Sequence, residues 1–239
     1  LRRFDEPYIV LGLSPADGTP IVLQRRGVSH LVSLTSALAA IAAGMLASSR
    51  WLVWQQFRHA TSFGDRDPIF GQDLGLYIFR LPFLQFLYGW LMSALVITAV
   101  FSVLFHVVNG GILFKNAKLE FSLFARAHIS TLLAMIVFLY GLGYKLDAYE
   151  LLSSKIGKFY GAGYTAVHAN LLAYNAAMVI SFLASALFLF NIFKRSFKLP
   201  VILLLAIIPV YFVLGKVFPG VQQRFIVVPN EFGKEEPYI

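Results

Sequence analysis

The chain contains no cysteine among its 239 residues, which excludes disulfides, thiolate zinc sites, iron–sulfur clusters and cysteine nucleophiles together. Charge is scarce too. Asp, Glu, Lys and Arg make up 13% of the residues, against roughly 25% in soluble domains, while 58% are hydrophobic and the mean hydropathy is +0.72. No His-Glu-x-x-His string occurs, and Gly157, Gly161 and Gly163 lack the following Lys and Ser or Thr of a phosphate-binding loop. Nor does any stretch of about ten residues alternate apolar with polar, as the strands of a spanning barrel do.

What is present is long apolar runs. A helix needs about 20 mostly apolar residues to cross the hydrocarbon core, and five segments meet that length, near residues 31–49, 83–108, 121–143, 169–193 and 199–218. The expected fold class is therefore all-α, a polytopic transmembrane helix bundle spanning residues 30–218. An amino-terminal flank, 1–29, precedes it, and 219–239 begins an extracytoplasmic region. The net charge of +8 follows from topology and requires no nucleic-acid partner, because Lys and Arg accumulate in cytoplasmic loops. Lys194, Arg195 and Lys198 lie between the fourth and fifth segments, and Lys115, Lys118 and Arg126 follow the second with only Glu120 against them. Both loops are expected inside, as is the flank bearing Arg25 and Arg26; the longer loops and the carboxy terminus are then outside.

Small residues four apart let helices approach closely in lipid. Two stripes fit, Ser36, Ala40, Gly44 and Ser48 on the first segment and Ala173, Ala177, Ser181 and Ser185 on the fourth, so both helices are expected inside the bundle. Pro209 predicts a kink in the fifth. Residues 50–80 carry Trp51, Trp54 and Phe57 at helical spacing, then Phe63, Phe70, Tyr77 and Phe79, which predicts an interfacial helix followed by an ordered outer loop. Asp65, Asp67 and Asp73 could attract a hard cation, but the calcium-loop pattern is not met and Arg66 and Arg80 are placed to neutralise them.

His106 and His128 should lie at similar depth near the inner end of two helices. Such pairs can ligate haem; an interfacial histidine also suits that zone by its amphipathic ring alone, and no cofactor or metal is expected. Ser93, Thr98, Ser130 and Thr131 can bond backbone carbonyls within their helices. No nucleophile and base can be paired from spacing, so no catalytic residue is assigned.

Three strings exceed what hydropathy requires: Asp67-Pro68-Ile69-Phe70-Gly71-Gln72-Asp73 running on to Phe79-Arg80-Leu81-Pro82-Phe83, then Gly161-Ala162-Gly163-Tyr164-Thr165, and a tail with Gln223-Arg224-Phe225, Pro229-Asn230-Glu231 and Glu236-Pro237-Tyr238-Ile239. With Arg126-Ala127-His128, Gly143-Tyr144, Leu146-Asp147 and Tyr149-Glu150-Leu151-Leu152, they closely resemble the UPF0182 family of large bacterial membrane proteins over Arg50 to Ile239. The resemblance implies about seven membrane helices before a large extracytoplasmic region, hence two further helices upstream and an outer domain downstream of this piece. It implies the bacterial plasma membrane as location and agrees with an outside carboxy terminus. Ala166 stands where the family pattern suggests an Asp. Candidate motif residues, functional or structural, are Asp67, Asp73, Arg80, Arg126, His128, Asp147, Glu150, Tyr164, Asn230 and Glu231.

The leading expectation is a membrane module of an envelope protein that handles or exports a lipid or other hydrophobic solute. The alternative is a structural anchor that fixes an outer domain and docks other membrane subunits, its acids satisfied by arginines or backbone donors. Few ionisable residues lie deep in the segments, which disfavours ion-coupled pumping.

Overall fold

A computed structural model of the chain describes residues 8–13, 20–115, 118–153, 155–156, 159–193, 202, 205–206, 208–209 and 212–236. These fall into two units, Leu1–Gln55 and Gln56–Ile239. In the first, strands β1 (Tyr8–Leu13) and β2 (Pro20–Gln24) pair antiparallel, an element not anticipated in the flank. Helix α1 (Arg25–Ser48) follows directly, and α2 (Trp51–Arg58) begins after Ser49 and Arg50. α2 is the helix expected from the spacing of Trp51, Trp54 and Phe57. The small-residue stripe of α1 is exposed in its unit, so the expected burial of that stripe is not found there.

The second unit is built on three long helices, α3 (Leu81–Val108), α4 (Leu123–Glu150) and α5 (Leu171–Phe190). α4 packs between the other two. Its contact with α5 forms where small residues face each other. Ala173, Ala177, Ser181 and Ser185 are all buried, as the stripe predicted, and Gly141 receives the Phe182 ring so closely that a Cβ there would stand 2.7 Å from it. The Ser185 hydroxyl donates to the Ala134 carbonyl across the seam at 2.8 Å, and Asn191 Nδ2 donates to Ser130 Oγ at 3.2 Å. On the other side Gly143 makes room for the Tyr88 ring of α3. The outer faces remain apolar and uncovered: Ile97, Val100, Phe101 and Phe105 of α3 are all more than half exposed, a continuous surface suited to lipid rather than water. Ser93, Thr98 and Thr131 donate to carbonyls four residues back, as expected.

Among the described residues three helices are long and apolar enough to cross a membrane, Leu76–Val108, Leu123–Glu150 and Ala166–Phe190, or four if α1 and α2, bent by 54°, count as one span. The expected five are thus not all found. The first expected segment lies within α1 and is counted as a span only together with α2, as that bent pair. The fifth is described only in part: residues 199–201, 203–204, 207 and 210–211 lie outside the described residues, and with them the path of the chain on both sides of Pro209, where the kink was anticipated. The third helix also runs seven residues past its expected end at Gly143, because Tyr144 and Ala148 continue the buried face at helical spacing. Asp147 and Glu150 therefore sit on the last turns of α4 and not in a loop.

Between α3 and α4, β3 (Ile112–Lys115) and β4 (Lys118–Phe121) form a hairpin whose last register pair is Lys115 with Lys118. β5 (Lys155–Ile156) and β6 (Phe159–Tyr160) make a second hairpin before α5. Among the described residues four single π turns occur, at Leu76–Arg80, Ala166–Asn170, Val213–Val217 and Gln223–Val227. In three of them the next residue but one is a proline: Pro82, Pro219 and Pro229. A proline ring crowds the carbonyl four residues back and donates no hydrogen bond to it. A turn widened by one residue relieves that crowding while the helix continues.

Candidate functional site

The candidate residues divide between the two ends of the bundle. Arg126 and His128 are on the first turns of α4 and Asp147 and Glu150 on its last, about 32 Å apart at 1.5 Å per residue.

Asp67, Asp73 and Arg80 lie at the end where α3 begins, in or just after the loop that leads into it. Asp67 is 5% exposed, and all its acceptor capacity is used locally. Oδ1 accepts from the backbone N–H groups of Ile69 at 2.9 Å and Phe70 at 2.6 Å; Oδ2 accepts from Gln72 N–H at 2.8 Å and the Tyr77 hydroxyl at 2.7 Å. Burial alone would raise this carboxyl's pKa, but the bonds from Phe70, Tyr77, Gln72 and Ile69 outweigh it and hold it below the usual value. Pro68 starts the turn and Gly71, at φ +64°, closes it.

Asp73 joins two strands of the same loop. Its carboxylate accepts from the Ser62 hydroxyl, Phe63 N–H at 3.1 Å, Gly64 N–H at 3.0 Å and Gly75 N–H at 2.7 Å. The Ser62 hydroxyl first, then the Phe63 amide and the other N–H groups, hold it down at about 2 against a modest opposing effect of desolvation. A backbone bridge between Arg66 and Asp73 closes the loop. The expectation that Arg66 and Arg80 neutralise these acids is not met: N–H and O–H groups do so, and Arg80 is exposed at the wall of a cavity of about 200 Å³ beside Ser62, Gln72 and Asp73. Among the described residues no cluster of three or more His, Asp or Glu could hold a metal ion.

The loop rests on the end of α4. Phe70 and Tyr77 both meet the Tyr149 ring edge-on, at 5.0 and 6.0 Å between centroids. Lys145 Nζ stands over the Phe70 and Tyr149 rings at 5.4 and 4.9 Å, and Ile69 packs against Leu151, Ala162 and Ala166. Gln85 Nε2 on α3 reaches Glu150 Oε2 at 3.4 Å, whereas Asp147 is exposed.

A second clasp joins the carboxy-terminal segment to the start of α5. Glu235 Oε2 accepts the Tyr164 N–H at 3.0 Å and lies against Gly163, where a Cβ would overlap it. Lys234 Nζ stands 5.0 Å from the Tyr164 ring centre, and that ring stacks on His168 at 4.1 Å. The Thr165 hydroxyl donates to Gln223 Oε1 at 2.6 Å. Glu235, Ser62 and Gly75 were not singled out from sequence; each partner lies ten or more residues away or depends on a turn invisible to spacing. Asn230 and Glu231 are exposed and join neither clasp, and residues 237–239 lie outside the described residues.

At the opposite end His106 Nε2 is 3.2 Å from His128 Nδ1 with the rings edge-on. The matched depth expected from sequence is realised as direct contact. Nearby, Arg126 Nε is buried without a partner.

A bundle of apolar helices long enough to cross a membrane, with clasped loops at one end, fits an integral-membrane type of helical protein. Residues 18–239 match the model of the uncharacterised protein family UPF0182, and the chain belongs to that family. It is 40% identical over 210 residues to a UPF0182 protein of Pelotomaculum thermopropionicum, covering 85% of this chain and 22% of the relative. It is 38% identical over 212 residues to one from Desulforamulus reducens, covering 87% and 23%, and 37% identical over 204 residues to one from Frankia alni, covering 85% and 20%. The chain thus spans between a fifth and a quarter of these relatives' length. No solved structure matches it.

Proposed function

We propose that this region is a structural membrane module, which anchors an extramembrane part of a larger envelope protein onto a helix bundle. The observation that carries this reading is the saturation of Asp67 and Asp73. Eight hydrogen bonds to the two carboxylates come from the chain's own N–H and O–H groups, so neither has lone pairs directed at a solute. Residues that move a polar cargo need open coordination and a wetted path. The Glu235 clasp extends the same logic, since it ties the segment leaving the bundle back to the start of α5. In this reading the module is multi-pass in the bacterial plasma membrane, its clasped end faces the outside, and other membrane subunits dock on its apolar faces.

The second reading, handling of a lipid or hydrophobic solute, draws on the apolar groove between α3 and α4. It gains nothing from the clasped acids. The two separate in one experiment on the intact protein in its own membranes: Asp67→Asn and Asp73→Asn variants are scored for abundance, for protease resistance of the 61–75 loop, and for transfer of fluorescent phospholipid between vesicles. The anchor reading expects lower abundance and faster cleavage. Normal abundance and normal resistance, with transfer lost, would overturn it.

A further inference from the structure

The open groove between α3 and α4 is lined only by apolar side chains, among them Val100, Val103 and Leu104 of α3 and Ile129, Leu132 and Leu133 of α4, and has a volume of about 280 Å³. Its lining on α3 runs from Leu104 to Ala99, about 7.5 Å at 1.5 Å per residue, and stops two residues short of His106. That length and volume suit a stretch of one hydrocarbon chain and not a whole lipid. Among the described residues, His106, His128 and Arg126 lie at the end nearest Leu104. His128 is exposed, and its one hydrogen bond among the described residues goes to His106. Arg126, one turn before Ile129 and two before Leu133 on the same helix face, has its Nε buried with no partner. The β3–β4 hairpin follows this end, with Ile112 at its base packed against Ala125 and Ile129.

A buried donor without an acceptor is rare in folded proteins and calls for an explanation, a bound ion among them. For a guanidinium the fitting acceptor is a carboxylate or phosphate oxygen, which its planar fork engages with more than one N–H. The basic end adjoins the apolar groove on the same two helices, Ile129 of the lining following His128 directly, so one occupant with an anionic head and an alkyl tail satisfies both; a free phosphate would leave the groove empty, and a neutral hydrocarbon would leave Arg126 unpaired. We propose that the hairpin end of α3 and α4 binds one anionic glycerophospholipid, with an acyl chain in the α3–α4 groove and its phosphate at Arg126 and the His106–His128 pair. The site is independent of the clasps at the other end, and an anchor and a transporter could each hold such a lipid.

The test uses the intact protein, purified in a mild detergent and given either dioleoyl phosphatidylglycerol or dioleoyl phosphatidylcholine before native mass spectrometry. One phosphatidylglycerol per protein should be retained at concentrations where phosphatidylcholine is lost. Retention should fall tenfold or more in Arg126→Gln, which removes the charge, and in Val100→Trp, which fills the groove. Equal retention of the two lipids, or variants within twofold of the unaltered protein, overturns the proposal. Because either variant could fold poorly, the unaltered protein is also irradiated with phosphatidylglycerol carrying a photoreactive acyl chain. Crosslinks should fall on residues 99–104 and 129–133; crosslinks confined to other surfaces overturn the proposal without any variant.

Discussion

Replacing Asp67 by Asn changes one atom's chemistry and nothing in size, so its effect can be worked from the four bonds the carboxylate accepts. If the amide oxygen takes the place of Oδ1, the Ile69 and Phe70 bonds survive but lose their ionic component. The amide nitrogen then faces Gln72 N–H and the Tyr77 hydroxyl. Tyr77 can turn its hydroxyl to accept, whereas Gln72 N–H cannot, and donor is left against donor. A buried donor stranded in this way costs about 1–3 kcal/mol, and replacing charge-assisted bonds by neutral ones adds roughly 1 kcal/mol. The total of about 2–4 kcal/mol corresponds to local opening that is about 30- to 900-fold more frequent, at 1.36 kcal/mol per factor of ten. Hydrogen exchange of peptides covering 61–75 reads that opening directly, and peptides from the middle of α4 serve as an internal reference. An increase of less than threefold in the loop would refute the view that Asp67 holds the turn together.

Gly75 and Gly71 should fail for different reasons. A Cβ at Gly75 overlaps the Thr61 carbonyl oxygen and comes within 2.8 Å of Asp73 Oδ1, so Gly75→Ala should destabilise the loop by about 1–3 kcal/mol and Gly75→Asn by more. Gly71 has open space but φ +64°; Gly71→Ala should cost about 1–2 kcal/mol, and Gly71→Asn should be milder because Asn tolerates that conformation. Thermal unfolding of the four variants checks the order. Both carboxyls are depressed on folding, so their contribution is complete above the unfolded value near pH 4 and is lost as pH falls through the folded value, about 2 for Asp73; pepsin should cut the 61–75 loop faster at pH 2 than at pH 4 after correction for its activity on an unfolded substrate. Glu235→Ala should release the carboxy-terminal segment, seen as several-fold faster cleavage at Lys234 by a lysine-specific protease, while Glu235→Gln, which can still accept from Tyr164 N–H, should lie between.

The fold was legible wherever burial and composition follow a helical period. Ala173, Ala177, Ser181 and Ser185 announced a buried face because small residues are useful in lipid only where another helix approaches, and Gly141 and Phe182 show how close that approach is. Span counting was less secure. The break between Ser48 and Trp51 falls where the first segment was expected to end, but an apolar run cannot show that α4 continues past Gly143, where Lys145, Asp147 and Glu150 lower the hydropathy while Tyr144 and Ala148 keep the buried face intact. Three of the π turns had a visible cause in Pro82, Pro219 and Pro229. The fourth, at Ala166–Asn170, has none in the local sequence.

The two aspartates mark where reading the candidate site from sequence stops. An aspartate accepts readily from the N–H groups two and three residues ahead, and Asp67-Pro68-Ile69-Phe70-Gly71 has the form of such a turn, with the proline supplying the first dihedral and the glycine the left-handed close. Its role could have been argued from the string alone. Asp73 also accepts from Gly75 two residues ahead, but its other donors, Ser62, Phe63 and Gly64, lie nine to eleven residues behind it, and no spacing rule connects them. An acid with visible local donors and one with hidden distant donors look equally available for a cation or a solute. The same reasoning runs the other way at Arg126, which the sequence offered as one more positive charge of an inner loop, and whose buried Nε instead marks an unmet demand for an acceptor.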